Sequence, residues 1–265
     1  MARLRTSNRI VAVIVAALLA FTLAACGGSS SGGSSTSDAP RNPYVWNKIS
    51  YNNGRYSYAV DGKVVSRIGV DVSDYQGTID WQAVAADGVD FAFVRIGRRG
   101  YTEGGIYPDE CFEQNLKGAQ AAGLDVGVYF FSQAVSEEEA VEEAEFVIKT
   151  LKGRWLALPV VFDEETVSSA NGRANRLSKV QRTANARAFL ERVESAGYSG
   201  MLYCNQNDMA RINLNELTEW PVWYAEYGEM PGPTPDFTIW QFTSTGKVSG
   251  ISGSADVNID LSGAR

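Results

Sequence analysis

From Ile68 to Asn205 the chain alternates short apolar runs with helix-patterned stretches, and this rhythm restricts its fold more than any other feature. The runs are IGVDV at 68–72, FAFVRIG at 91–97, LDVGVYFFS at 124–132, LALPVVF at 156–162 and GMLYCN at 200–205. Between them the spacing predicts helices near 81–87, 111–122, 136–152 and 178–196. In the third, Ser136 and Glu139 carry a capping-box signature, Val141, Ala144, Val147, Ile148 and Leu151 recur at helical spacing, and Gly153 marks the stop. Strands alternating with helices make a parallel sheet covered on both faces. Past residue 215 the rhythm changes: PVWYAEY at 221–227, FTIWQFT at 237–243 and SADVNID at 254–260 leave no room for full helices. About eight strands with roughly five helices predict an α/β fold, an irregular TIM-like barrel with a helix-poor end. A doubly wound open sheet competes, but no glycine-rich phosphate loop follows the first strand.

The barrel is expected to occupy residues 68–265. Ahead of it, YSYAVDGKVVSR reads as two short strands around the Asp61-Gly62 turn, so 41–67 is expected to be an accessory hairpin. At the start, Arg3, Arg5 and Arg9 precede the apolar run IVAVIVAALLAFTLAA, the layout of a secretory leader over residues 1–25. The run is too short and wrongly flanked for a permanent membrane span. LAAC, ending in Cys26, resembles the bacterial lipoprotein box, whose cysteine is lipidated; an ordinary leader leaving a free cysteine is the alternative. The Gly/Ser-rich tract of 26–40 is expected to be a flexible tether. The folded part is therefore expected outside the cytoplasm, held to the membrane through a lipidated Cys26.

The chain has no histidine. That excludes Ser-His-Asp and Cys-His catalysis and zinc sites built on imidazole, and leaves acid–base work to carboxylates. The formal charge is −7, and losing the three leader arginines would make it −10. Nucleic acid is therefore not an expected partner, since neutralising phosphates needs basic surface. Cys111 and Cys204 remain after Cys26; an oxidising exterior permits them to pair, and two separate thiols fit the sequence equally well.

The apolar run of LPVVFDEETV, 158–167, ends in three carboxylates. Side chains alternate along a strand, so Val161, Asp163 and Glu165 share one face and Glu164 takes the other, a structural position. In a parallel barrel the C-terminal strand ends form the mouth where active sites are built. Two acids about 6 to 7 Å apart along a strand suit glycoside hydrolysis, one protonating the leaving oxygen and one stabilising positive charge. Asp71 in GVDVSDYQ and Asp256 in SADVNID add acids from two further strand termini, although Asp71 alone would serve equally well to cap a loop. Aromatic residues gather at the same ends: Tyr129, Phe130 and Phe131, then Tyr203, Trp223, Tyr224, Tyr227 and Trp240. Most suit core packing. Tyr129 and Trp223 are the candidates for stacking on sugar.

The ordered set GVDVSDYQGTIDW, FAFVRIG, DECFEQNLKGAQAAGLDVGVYFFSQA, PVVFDEE, VWYAEY and WQFTSTGKVSGISGSADVN resembles the glycoside hydrolase family 25 lysozymes, the Chalaropsis-type N-acetylmuramidases of peptidoglycan. The resemblance runs from about Ile68 to the C-terminus. It implies a (β/α)5(β)3 barrel acting on peptidoglycan glycan strands, hydrolysing the β-1,4 bond between N-acetylmuramic acid and N-acetylglucosamine; separately, a monomer is expected. It implies Glu165 as general acid, Asp163 as the partner steadying the substrate acetamido group, and Asp71 and Asp256 in positioning and electrostatics. Net retention is the implied outcome, and this chemistry needs no metal or organic cofactor. The leader and residues 41–67 lie outside the family pattern, and no wall-binding repeat follows it, so action near a membrane anchor is expected. A catalytically inactive peptidoglycan-binding module, or a glycosidase for another N-acetylated glycan such as chitin, are the other readings.

Overall fold

The computed structural model describes residues 40–228 and 230–265. The leader, Cys26 and the Gly/Ser tract up to residue 39 lie outside the described residues. Eight strands close into a barrel. Seven run parallel in the spatial order β4 (Arg67–Val72), β5 (Phe91–Arg99), β7 (Asp125–Ser132), β8 (Val160–Glu164), β9 (Gly200–Asn205), β10 (Val222–Ala225) and β11 (Ile239–Gly246). The eighth, β12 (Ala255–Asp260), runs antiparallel to both β11 and β4 and closes the cylinder. A short β6 (Ile106–Pro108) extends the end of β5 at the rim.

The helices α1 (Trp81–Ala86), α2 (Phe112–Ala121), α3 (Glu137–Leu151) and α4 (Lys179–Ser195) fill the crossovers between β4 and β9. Their starts follow from side-chain caps: Asp80 accepts from the Ala83 amide, Ser136 from Glu139 and Ser178 from Gln181. The Glu139 carboxylate in turn accepts from the Val135 amide, one residue ahead of the cap. Between β9 and β10 the described residues hold two 3-10 turns, Met209–Arg211 and Leu214–Glu216, and no α-helix, so four helices stand where the sequence predicted roughly five.

The strands bury apolar side chains on both faces. Phe91, Phe93, Val161, Met201, Tyr203, Trp223 and Ile239 fill the barrel interior, while Val70, Val94, Phe130, Phe162 and Leu202 pack outward. The interior rings need glycine beneath them: a Cβ on Gly69 would run into Phe91, and one on Gly127 into Phe93.

The helix-free wall is covered from the N-terminal side. Residues 49–64 form a three-stranded antiparallel sheet, β1 (Ile49–Asn52), β2 (Arg55–Val60) and β3 (Lys63–Val64), where the sequence predicted a single hairpin. Its two turns, Asn53-Gly54 and Asp61-Gly62, each place both central residues at positive φ, the geometry such dipeptides favour. Tyr56 packs on Trp240 and Phe242, Trp46 on Trp240, and Tyr44 on Phe237, while the Tyr44 hydroxyl donates to the Phe237 carbonyl at 2.6 Å. Trp240 thus belongs to the outer wall and not to the mouth, and residues 44–60 supply the apolar cover that helices give the other strands.

Candidate active site

The mouth of the barrel opens into a cleft of about 850 Å³ lined by Asp71, Asp163, Glu165 and Asp256. Asp71 lies near the end of β4, Asp163 near the end of β8, and Glu165 one residue beyond it. Asp256 joins them because β12 is antiparallel, so the start of that strand reaches the same mouth, in register with Asp71. Glu164 takes the opposite face of β8 as the alternation requires, with the Arg182 guanidinium 2.6 Å away behind the wall.

The four cleft acids have no ion-pair partner among the described residues. Asp71 Oδ2 accepts from the Gln241 amide nitrogen at 2.8 Å and the Asn258 amide nitrogen at 2.9 Å. Those amides are themselves oriented: the oxygen of Gln241 accepts from the Tyr227 and Tyr203 hydroxyls, and that of Asn258 from the Trp223 indole. Burial pushes Asp71 up to about 6 against the two amide bonds. Glu165 is pushed to about 6 by burial, opposed by the Asn205 amide that donates to its Oε2 at 2.7 Å. Asp256 rises to about 8 through burial and the charges of Asp71 and Glu165. Asp163 is driven well above the ordinary carboxylate range by burial and by its neighbours Glu165 and Asp71, and its Oδ1 has no hydrogen-bond partner. Like charges crowded into a low dielectric cannot all ionise, so the cleft retains protons near neutrality, which acid catalysis requires.

These residues and this barrel match the profile described as Glycosyl hydrolases family 25 over residues 70–251. The chain belongs to glycosyl hydrolase family 25. It is 30% identical to the autolytic lysozyme of Clostridium acetobutylicum, over 72% of this chain and 54% of that protein. It is 28% identical to the N,O-diacetylmuramidase of Chalaropsis sp, over 71% of this chain and 95% of that one. A solved family 25 hydrolase from Bacillus anthracis superposes with a TM-score of 0.63 at 25% identity, covering 79% of this chain and 94% of that chain. The present chain spans about half the length of the clostridial lysozyme and 66% of lysozyme M1 of Streptomyces globisporus.

In this family 25 chain the two aromatic candidates differ. Tyr129 is partly buried at the cleft, in edge contact with Trp223. Trp223 is only 2% exposed, stacked on Phe93, with its indole N–H committed to Asn258, so it forms the floor. The rings that stand open in the cleft are Tyr75, Tyr101, Tyr107 and Tyr227. Gln241, Asn258 and Asn205 were also missed by sequence reasoning. Asn258 had a readable signal, since it sits two residues after Asp256 and shares its face. Asn205 ends β9, the strand beside β8, and nothing in its local sequence points to Glu165. Cys111 and Cys204 are both free, and burial pushes the Cys204 thiol up to about 12.

Proposed function

We propose that the chain is a peptidoglycan hydrolase, an N-acetylmuramidase cleaving the β-1,4 bond between N-acetylmuramic acid and N-acetylglucosamine. The observation that carries this reading is the meeting of four unpaired carboxylates from three strand ends in one cleft, with Glu165 anchored by Asn205. The names lysozyme and diacetylmuramidase borne by the relatives support the substrate.

Glu165 delivers its proton to the glycosidic oxygen, and the Asn205 amide then stabilises the carboxylate left behind. As the leaving oxygen departs, the substrate's acetamido oxygen attacks the anomeric carbon while Asp163 holds the acetamido N–H. Burial makes an ionised Asp163 unfavourable in the free protein. The same low dielectric makes it most effective once positive charge develops beside it. Glu165 then takes a proton from the water that attacks the anomeric carbon, giving net retention by substrate assistance, an exception to the usual two-carboxylate scheme. Asp71, fixed by its two amides, and Asp256 position the sugar and set the field.

In the same proposal the two 3-10 turns after β9 stand for the fifth helix of a (β/α)5(β)3 barrel. Residues 1–25 are a leader, Cys26 carries lipid, and the tract behind it spans on the order of 20 Å as a flexible tether. A monomer held in this way outside the cytoplasm would act on wall near its own membrane.

The test is to incubate the purified protein with peptidoglycan and identify new reducing ends by mass spectrometry. Reducing-end muramic acid, absent with Glu165→Gln, is the expected result. Cosedimentation with the wall without release would overturn the reading in favour of a binding module.

A further inference from the structure

The cleft continues past the acids along the rim end of β5, where the ladder is irregular. Arg95 lies opposite Tyr129 of β7, but Gly97 lies opposite Phe130, so Ile96 is an extra residue, a bulge. Ile96 is buried in the outer core and Gly97 is backed by Phe146 of α3. The shift brings Arg98 into register with Phe131, which is itself in register with Asp163. Arg98, Phe131 and Asp163 all line the cleft, in one row across three strands. Two strand spacings, about 10 Å, separate the backbones of Arg98 and Asp163. That is within reach of a substituent on a sugar at the scissile bond.

Three guanidinium groups line this arm, and two of them are committed. Arg95 bonds Asp74 at 2.5 Å and Asp109 at 2.8 Å, while Arg99 bonds Glu143 at 2.7 Å, Glu142 at 3.1 Å and two carbonyls. Arg98 makes one long contact, 3.4 Å to the Asp74 carboxylate that already serves Arg95, and its side chain is 41% exposed. Its guanidinium lies over the Tyr107 ring. Glu103, the other acid of the arm, is engaged by the Tyr107 hydroxyl. Tyr75, 86% exposed, also lines the arm, a ring the fold itself does not bury.

We propose that this arm is a subsite for a carboxylate carried by the muramoyl residue, either on its lactyl group or on the first acidic residue of its stem peptide. Arg98 supplies a planar fork for that carboxylate, and Tyr75 and Tyr107 flank it. The bulge is what aims the fork into a mouth otherwise lined with acids. The inference rests on the function proposed above and adds to it the group that separates muramoyl glycan from neutral chitin.

Calorimetric titration of Glu165→Gln and of the double variant Glu165→Gln, Arg98→Gln tests it. The probes are a muramoyl tetrasaccharide with free lactyl carboxylates, the same glycan bearing an L-alanyl-D-glutamate stem, and chitotetraose. Loss of one charged fork should weaken the muramoyl ligands roughly tenfold or more and leave chitotetraose unchanged. The muramoyl ligand that loses more identifies the carboxylate. Equal weakening for chitotetraose would overturn the subsite in favour of a role for Arg98 in the fold, and no weakening would overturn it outright. If the wild-type protein releases muramic-acid ends while the Arg98 variant binds normally, the subsite alone fails. If no glycan binds and no ends appear, the hydrolase reading fails with it.

Discussion

Strand β8 separates two sets of carboxylates that differ in one respect. In front, Asp71, Asp163, Glu165 and Asp256 share a cleft without a bonded cation. Behind, four acids each meet a guanidinium: Glu164 has Arg182 at 2.6 Å, Glu143 has Arg99 at 2.7 Å, Glu139 has Arg173 at 2.8 Å and Asp208 has Arg211 at 3.0 Å. The rear set pins the segment that follows Glu165. Arg182 donates to the Ala174 carbonyl and Arg211 to that of Asn175, while Asp208 accepts from the amide and hydroxyl of Thr166. Hydrogen bonds hold Glu139 and Asp208 below the usual carboxylate range against their burial, whereas burial outweighs the guanidinium for Glu164, pushed up to about 8, and for Glu143, to about 7. Pairing there fixes geometry more than it adds stability. The front acids hold their protons in an open cleft, where a substrate can take them. Residues adjacent in sequence thus take opposite roles because a strand turns successive side chains to opposite faces.

The largest expected effect breaks the front set. Glu165→Gln should lower the hydrolysis rate about 10³-fold, the scale of a lost general acid, with the thermal unfolding midpoint unchanged or raised. A comparable fall in stability would mean that Glu165 belongs to the scaffold. Next comes the rear set. Arg182→Met should cost about 3 kcal/mol of stability at pH 9, where Glu164 would otherwise be ionised against its partner. The cost should be smaller at pH 5, where Glu164 is protonated with or without it. Equal losses at both pH values in denaturant titrations would show that Arg182 acts through packing and its bond to Ala174 alone.

The front set was partly legible in sequence because strand alternation and motif order both point at it. Asp163 and Glu165 on one face, with Glu164 opposed, follow from the period of two. Asp256 was readable as a strand-end acid, although it reaches the mouth only because β12 is antiparallel, which no local pattern states. The rear set was not legible, since Arg182 on α4 meets Glu164 only through the packing of that helix on β8. The bulge at Ile96 was likewise invisible: FAFVRIG reads as an uninterrupted strand, and a shift of register depends on the neighbour. Nor did Trp223 declare its burial, because an aromatic residue at a strand end fits a floor as well as a wall. Asn53-Gly54 carried as strong a turn signal as Asp61-Gly62, and reading both would have given three strands.

Removing one front charge should sharpen the contrast through stability. Asp256 has its pKa raised from 3.8 to about 8 by folding. The native state therefore holds this proton where the unfolded chain has lost it, and stability falls as pH rises across that interval. Asp256→Asn should flatten the fall, so that the variant's midpoint drops less than the wild type's between pH 5 and pH 9. Parallel pH profiles for the two proteins would show that the front acids do not oppose one another.

The smallest expected effect lies at the residue that joins the two sets. Asn205 Nδ2 donates to Glu165 Oε2 at 2.7 Å and to Asp208 Oδ2 at 3.1 Å. Asp208 keeps its bonds to Thr166 and Arg211 without it, so Asn205→Ala should cost only about 1 kcal/mol of stability. Its effect on the acid should be specific. The amide favours the ionised form of Glu165, so its loss raises a pKa already at about 6. Activity that depends on protonated Glu165 should then persist to higher pH, with the falling limb of the pH–rate profile displaced upward. A lower rate at every pH with the limb in place would instead mean that Asn205 aims the carboxyl group without tuning its proton, and the rear scaffold would reach the chemistry through geometry alone.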